Sequence, residues 1–286
     1  MQGFALVPES NNKDITAKIL KQHYLPQILP LTRFLAENPS LGLCVGWGRN
    51  GKSRLTTRKK GKFNYMAELS LQDISSQLES QDSRDRMIAL ASLRRFPSAD
   101  AVPLIKKVLN DEILQIRSMA VFALGVKQTD ECYPILVKLL ENDPDYGIRA
   151  DAAGALGYLG DIRAFEPLVR AFYEDTQWLV RFSAAVSLGN LKDVRAHDLL
   201  VRALDSDEVV LQQAVIAALG EIRDINAIDH ILRFVPSTDW LTRQRLAEAL
   251  GNLPSDKSIS ALKYLEKDSH PHVAQAATIS LSRLGA

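Results

Sequence analysis

The stretch Ile148-Arg149-Ala150-Asp151-Ala152-Ala153-Gly154-Ala155-Leu156-Gly157 recurs along the chain. Slid over the sequence, its arginine position falls on Arg86, Arg117, Arg149, Arg181, Gln212, Arg243 and Ala274, at intervals of 31, 32, 32, 31, 31 and 31 residues. A fixed period of this length marks a tandem architecture in which one supersecondary unit is copied. In the copies an apolar residue precedes the register position (Ile116, Ile148, Val180, Leu211, Val273), and small or branched residues follow at helical spacing, as in Ala152, Leu156 and Leu159. That is the stripe of an amphipathic helix. A polar turn comes next (Gly160-Asp161, Lys192-Asp193, Arg223-Asp224), then a second apolar-periodic segment such as Ala164 to Tyr173, closed by Glu174-Asp175.

Two helices of about ten residues cannot bury a core alone, so each hairpin must stack on its neighbours. The expected fold is all-α, a right-handed α-solenoid of about seven helical hairpins over residues 66–286, with an extended concave surface. Ala120, Ala152 and Ala184 are the positions expected to let helices approach closely. The end copies are atypical, as capping units should be: the first carries Leu93-Arg94-Arg95-Phe96 where the others have Leu-Gly, and the last runs to Leu284-Gly285-Ala286.

The phrase Asp143-Pro144-Asp145-Tyr146-Gly147-Ile148-Arg149, followed by Ala152-Ala153-Gly154-Ala155-Leu156-Gly157-Tyr158-Leu159-Gly160-Asp161, resembles the repeat of the phycobilisome-lyase-type HEAT family. The copy from Asp175-Thr176-Gln177-Trp178-Leu179-Val180-Arg181 to Leu188-Gly189 resembles the same unit, and the resemblance spans residues 70–286. It implies HEAT-like hairpins. That family includes bilin lyase subunits, phycobilisome-degradation factors and general adaptors, so the resemblance speaks more to fold than to function. The function it implies is macromolecule binding, engaging phycobiliproteins or their bilins during attachment, detachment or turnover. No cofactor is required on this reading; a phycobilin is an allowed ligand, and a second HEAT-repeat chain an allowed subunit. Lyase chemistry would then consist of holding the tetrapyrrole near a cysteine of the partner. The alternative is a non-catalytic adaptor for a metallocofactor-assembly or photosynthetic partner, with no pigment role.

The 286 residues are 46% hydrophobic and only 7% aromatic, a globular composition. No run of eighteen apolar residues is present, and Met1-Gln2-Gly3-Phe4 opens without the basic and apolar regions of a signal peptide. The expectation is a soluble, cytoplasmic protein with no membrane insertion. Cys44 and Cys132 form no C-x-x-C pair, which fits a reducing compartment.

Charge divides the chain. Residues 1–65 hold 11 Lys and Arg against 3 Asp and Glu, a net +8, whereas the remainder holds 24 against 31, a net −7. Ile15 to Leu35 fits short helices broken at Pro26 and Pro30, and Arg49 to Lys62 is too polar to pack. Residues 1–65 therefore read as a basic extension, partly disordered or in short helices, or as an overcalled start ahead of Met66. Gly46-Trp47-Gly48-Arg49-Asn50-Gly51-Lys52-Ser53 fits the phosphate-loop pattern G-x-x-x-x-G-K-S/T. Such a loop needs an apolar helix behind it, whereas the next residues are Arg54-Leu55-Thr56-Thr57-Arg58-Lys59-Lys60. A solvated basic linker is the simpler reading. Nucleic acid is not the expected partner, and an enzyme built on this loop ranks third among the functions.

The recurrent arginines, in register with Asp161, Asp193 and Asp224, are expected to form an inter-repeat ladder. Projecting the register onto the concave face of the second helices places Met87, Phe122, Tyr158, Phe182 and Val186 there in the first half, and Gln213, Gln244, Arg245, Glu248 and Gln275 in the second. Large apolar residues on a solvated face point to a partner-binding patch. Tyr146, Trp178 and Trp240, three residues before the register position, are expected either to pad the seams between hairpins or to serve as edge anchors. The histidines His23, His197, His230, His270 and His272 form no metal-ligand pattern, and no catalytic residue can be assigned. The isolated chain is not expected to be an enzyme; were it one, it would be phycobilin lyase-like.

Overall fold

A computed structural model describes residues 69–286. The expectations for residues 1–65, including the phosphate-loop pattern, Cys44 and His23, lie outside the described residues. Within them the regular structure is helical, with no strand.

Among the described residues fourteen α-helices pair into seven hairpins, an α-solenoid. They are α1 (Leu71–Gln77) with α2 (Ser83–Ser92), α3 (Ser98–Lys106) with α4 (Leu114–Lys127), and α5 (Cys132–Asn142) with α6 (Tyr146–Leu159). Next come α7 (Phe165–Glu174) with α8 (Trp178–Leu191), and α9 (His197–Ala203) with α10 (Val209–Ile222). The last two are α11 (Ile228–Leu232) with α12 (Trp240–Leu250), and α13 (Asp256–Leu265) with α14 (Pro271–Leu284).

Every second helix begins three residues before its register position. The cause is a side chain six residues before that position, whose oxygen accepts the backbone N–H two residues further on. Ser80, Asp111, Asp143, Asp175, Ser206, Ser237 and Asp268 do this at 2.8–3.3 Å. These turns reverse the chain and offer it an alternative to continued helix. At the other end, Gln128, Gly160, Lys192, Arg223 and Gly285 stop their helices in the left-handed region, at φ of 49° to 73°. Asp161, Asp193 and Asp224 then accept the N–H two residues on and start the next short 3-10 turn.

Ile116, Ile148, Val180 and Val273 are buried, as the stripe requires, and so are Ala120, Ala152 and Ala184. The tightest helix contacts lie elsewhere, at the glycine eight residues past the register position. A Cβ added to Gly125 would sit 2.7 Å from the Ala155 backbone oxygen, to Gly189 2.7 Å from Ala218 Cα, and to Gly220 2.6 Å from Ala249 Cα. The same glycine recurs as Gly157 and Gly251, against Ser187 and Ser280. The first helices contain no glycine. The layer with the closer spacing is the inner one of a curved stack, so the outward face of the second helices is concave.

Lys127 occupies the place taken by Leu159, Leu191, Ile222, Leu253 and Leu284 in later copies. It is buried, and its Nζ donates to the carbonyls of Arg94 (3.0 Å) and Phe96 (2.6 Å). Burial lowers its pKa. The lysine thus ties the second hairpin to the end of the first, whose Leu-Gly signature is missing.

Candidate partner-binding surface

The recurrent arginines are structural. Arg149 donates to both oxygens of Asp175 (2.7 and 3.1 Å) and to the carbonyl of Asp143 (3.0 Å). Arg86 spans Asp111 and the Ser80 carbonyl in the same way, and Arg243 spans Asp268 and the Ser237 carbonyl. Each guanidinium therefore joins its own inter-helix turn to the next one, a charge-assisted brace across the repeat boundary. Burial pushes the Asp175 carboxyl up, yet the Arg149 guanidinium, the Gln177 backbone N–H and the charge of Arg181 together outweigh it and hold the group below the usual carboxylate range. The bond from Arg243 holds Asp268 low likewise. Arg181 pairs with Glu208, and Gln212 donates to the carbonyls of Leu204 and Ser206.

The expected partners Asp161, Asp193 and Asp224 are corrected by this geometry. Twelve residues separate each from the register position of its own helix (Arg149, Arg181, Gln212), about 18 Å along the axis. Asp161 binds Arg163, Asp193 binds Arg195, and Asp224 lies 2.8 Å from His197 Nδ1.

On α4, α6 and α8 the outermost row lies two, five and nine residues past the register position. On α4 it reads Met119, Phe122 and Val126; on α6, Asp151, Gly154 and Tyr158; on α8, Ser183, Val186 and Asn190. Tyr158 is 59% exposed, and Phe122 meets it edge-to-face with ring centroids 5.5 Å apart. Val126 is 46% exposed and Ile88, on α2, 48%. Of the residues assigned to this face from the sequence, Phe122 and Tyr158 are thus brought together. Met87, Phe182 and Val186 are half-buried against the core. Met87 and Phe182 sit one residue past the register position, about 100° around the helix from the row above or below, and so lean into the seams between helices. Gln213 shares that position and is buried, donating to Asp239 (2.8 Å); its assignment to the solvated groove is corrected.

Sequence reasoning did not pick out Ile88, Val126 or Asp151. Counting two residues past the register position instead of one would have found Ile88 and Asp151, and Val126 shares the position of Tyr158, nine residues past it. Asp151 is half-buried, and burial raises its carboxyl to about 6, with Asp145 adding to the shift and the Ser118 hydroxyl opposing it.

At the edges, Trp240 is stacked on His270 (centroids 4.1 Å apart, 13° between planes) with His272 at 5.9 Å, which pads the last seam. Tyr146 opens α6 and is 42% exposed, while Trp178 opens α8 half-buried. Among the described residues no group of three or more His, Cys, Asp or Glu side chains is placed to hold a metal, and no helix is long and apolar enough to cross a membrane.

A family model described as HEAT repeats matches residues 71–153, 133–220 and 228–286. No curated protein sequence matches the chain. Among solved structures, a chain of the complex of CpcE and CpcF of phycocyanin lyase from Nostoc sp. PCC7120 is similar over 80% of this chain and 100% of its own length, at 20% identity and a TM-score of 0.51. A chain of the Kap95p–RanGDP complex is similar over 75% of this chain and 35% of its own length, at 13% identity and a TM-score of 0.50. Human deoxyhypusine hydroxylase in complex with glycerol is similar over 75% of this chain and 96% of its own, at 18% identity and a TM-score of 0.37. At such identities the likeness to CpcE–CpcF and Kap95p is one of fold.

Proposed function

Because this chain belongs to the HEAT-repeat family, we propose that it is a protein-binding scaffold whose concave second-helix layer engages a phycobiliprotein or the bilin it carries. The observation that carries this reading is the Phe122–Tyr158 pair, an aromatic corner in the first half of that layer where exposed Tyr158 meets half-buried Phe122 beside exposed Val126. Aromatic side chains in such a place supply large contact area at small entropic cost, the usual make-up of an interface anchor. The repeat phrase around Asp143–Asp161 supports the choice of partner through its resemblance to the phycobilisome-lyase-type family. The fold shared with CpcE–CpcF is compatible with it.

In this role the chain's side chains position rather than react. A concave apolar face can hold a protein surface, or lie against the flat face of a linear tetrapyrrole, so that a thiol on the partner meets the bilin in a productive geometry. Two titrations of the full chain test the reading: with C-phycocyanin by calorimetry, and with phycocyanobilin by absorption. Binding of both supports handling of the pigment. Binding of phycocyanin with an unchanged bilin spectrum makes the chain an adaptor for the protein. Binding of neither refutes the proposed partner.

A further inference from the structure

Two residues past the register position, the seven second helices carry Ile88, Met119, Asp151, Ser183, Ala214, Arg245 and Ala276. Two of these are charged. Arg245 is neutralised by Glu248 at 2.8 Å. Asp151 has no cation within ion-pair distance among the described residues; the Ser118 hydroxyl nearby favours its charged form, and the charge that acts on it is the like charge of Asp145. One turn further along α6 is Gly154, where an added Cβ would meet nothing within 4 Å, so the carboxylate borders open space. Apolar side chains border that open space by register: Met119 and Phe122 on α4, Tyr158 on α6, and Val186 on α8.

The helices packed against α6 are α4, α5 and α8, and their own cations are engaged or lie away from Asp151. Arg117 donates to the Asp111 carbonyl, Lys127 to those of Arg94 and Phe96, and Arg181 pairs with Glu208. On α5, Lys138 is exposed and Glu141 pairs with Arg170. A half-buried carboxylate on an apolar concave face, with open space beside it and no ion-pair partner among the described residues, is complementary to a positive group brought by a partner.

We infer that Asp151 is the specificity-determining residue of this face, receiving the ammonium or guanidinium of a lysine or arginine that a protein partner presents between apolar side chains. The inference rests on the reading that this face binds protein. Ionised Asp151 is the binding-competent form, so affinity falls by about tenfold between pH 7 and pH 5, as a carboxyl of pKa about 6 passes from mostly charged to mostly neutral.

The test is selection of a random dodecapeptide display library on the immobilised full chain, followed by affinity measurements on the enriched peptides with wild type, Asp151→Asn and Tyr158→Ala. The expected motif is a lysine or arginine flanked by apolar residues. Its affinity should drop about tenfold or more with Asp151→Asn, and exchanging the peptide's basic residue for norleucine should cost as much on wild type but almost nothing on Asp151→Asn. Peptides that lose affinity with Tyr158→Ala but bind Asp151→Asn as tightly as wild type would overturn the role of Asp151 while leaving the face as the site. Peptides indifferent to both substitutions would overturn the face as well, and the proposed function with it. Circular dichroism of each variant separates lost binding from lost fold.

Discussion

Adding one methyl group to Gly220 should weaken the solenoid, whereas adding it to Gly154 should strengthen it. Both glycines lie inside second helices, and alanine there gains about 1 kcal/mol of helix propensity. The difference is in the neighbours. At Gly220 the new Cβ would stand 2.6 Å from Ala249 Cα and 2.8 Å from Ala249 Cβ, whereas ordinary carbon contacts lie at about 3.5–4.0 Å. The obstacle is helix backbone, so α10 and α12 must separate by about 1 Å, at an overpacking cost of about 1–3 kcal/mol that exceeds the propensity gain. A net loss of up to about 2 kcal/mol is expected for Gly220→Ala. At Gly154 nothing lies within 4 Å, and a gain of about 0.5–1 kcal/mol is expected. Urea unfolding of the full chain, followed by circular dichroism, reads both changes as midpoint shifts at constant slope. Equal stabilisation by the two substitutions would refute the glycine contacts as the source of the close helix spacing.

Other substitutions test other parts of the account. Asp151→Asn should stabilise the fold by about 1–2 kcal/mol at pH 7, after allowance for partial exposure, because the native carboxyl at about 6 lies above its unfolded value. The native state then holds more protons between about pH 4 and 6, so wild-type stability declines through that window as pH rises and the advantage of Asn vanishes below it; thermal melts at pH 4 and 7 check the sign. Lys127→Met leaves the Arg94 and Phe96 carbonyls without their donor and should cost about 2–3 kcal/mol in urea unfolding. Arg149→Met should cost about 2–3 kcal/mol for the same reason at Asp175 and Asp143. The depressed Asp175 carboxyl contributes stability above its unfolded value, lost as pH falls through its lower folded value, so the penalty of Arg149→Met should shrink below about pH 4.

Much of this was legible in the sequence because a helical hairpin writes its period in apolar spacing. The stripe around Ile148, Ala152 and Leu156 placed every second helix, and each start fell at a constant offset from the register. Register alone could not say which acid meets Arg149. Asp161 and Asp175 both recur with the period, but the first is a helix length away and the second lies just across the following hairpin turn. Helix rotation was the other weak point. Counting one residue past the register position instead of two selected Phe182 and Gln213, which lean into seams, over Asp151 and Ile88, which face outward. Gly125, Gly189 and Gly220 were visible as part of a Leu-Gly signature, yet their role depends on the backbone of the next repeat, some thirty residues away, and only the assembled stack shows it.

The central claim is that the aromatic corner of the concave layer is a binding anchor and not a piece of the core. Calorimetric titration of C-phycocyanin into wild type and Tyr158→Ala, with the melting temperature of each recorded, tests it most directly. Tyr158 is 59% exposed, so its truncation should leave the melting temperature within about 1–2 °C. The same truncation should weaken binding by about 2 kcal/mol, roughly thirtyfold. Unchanged affinity in the folded variant would contradict the account.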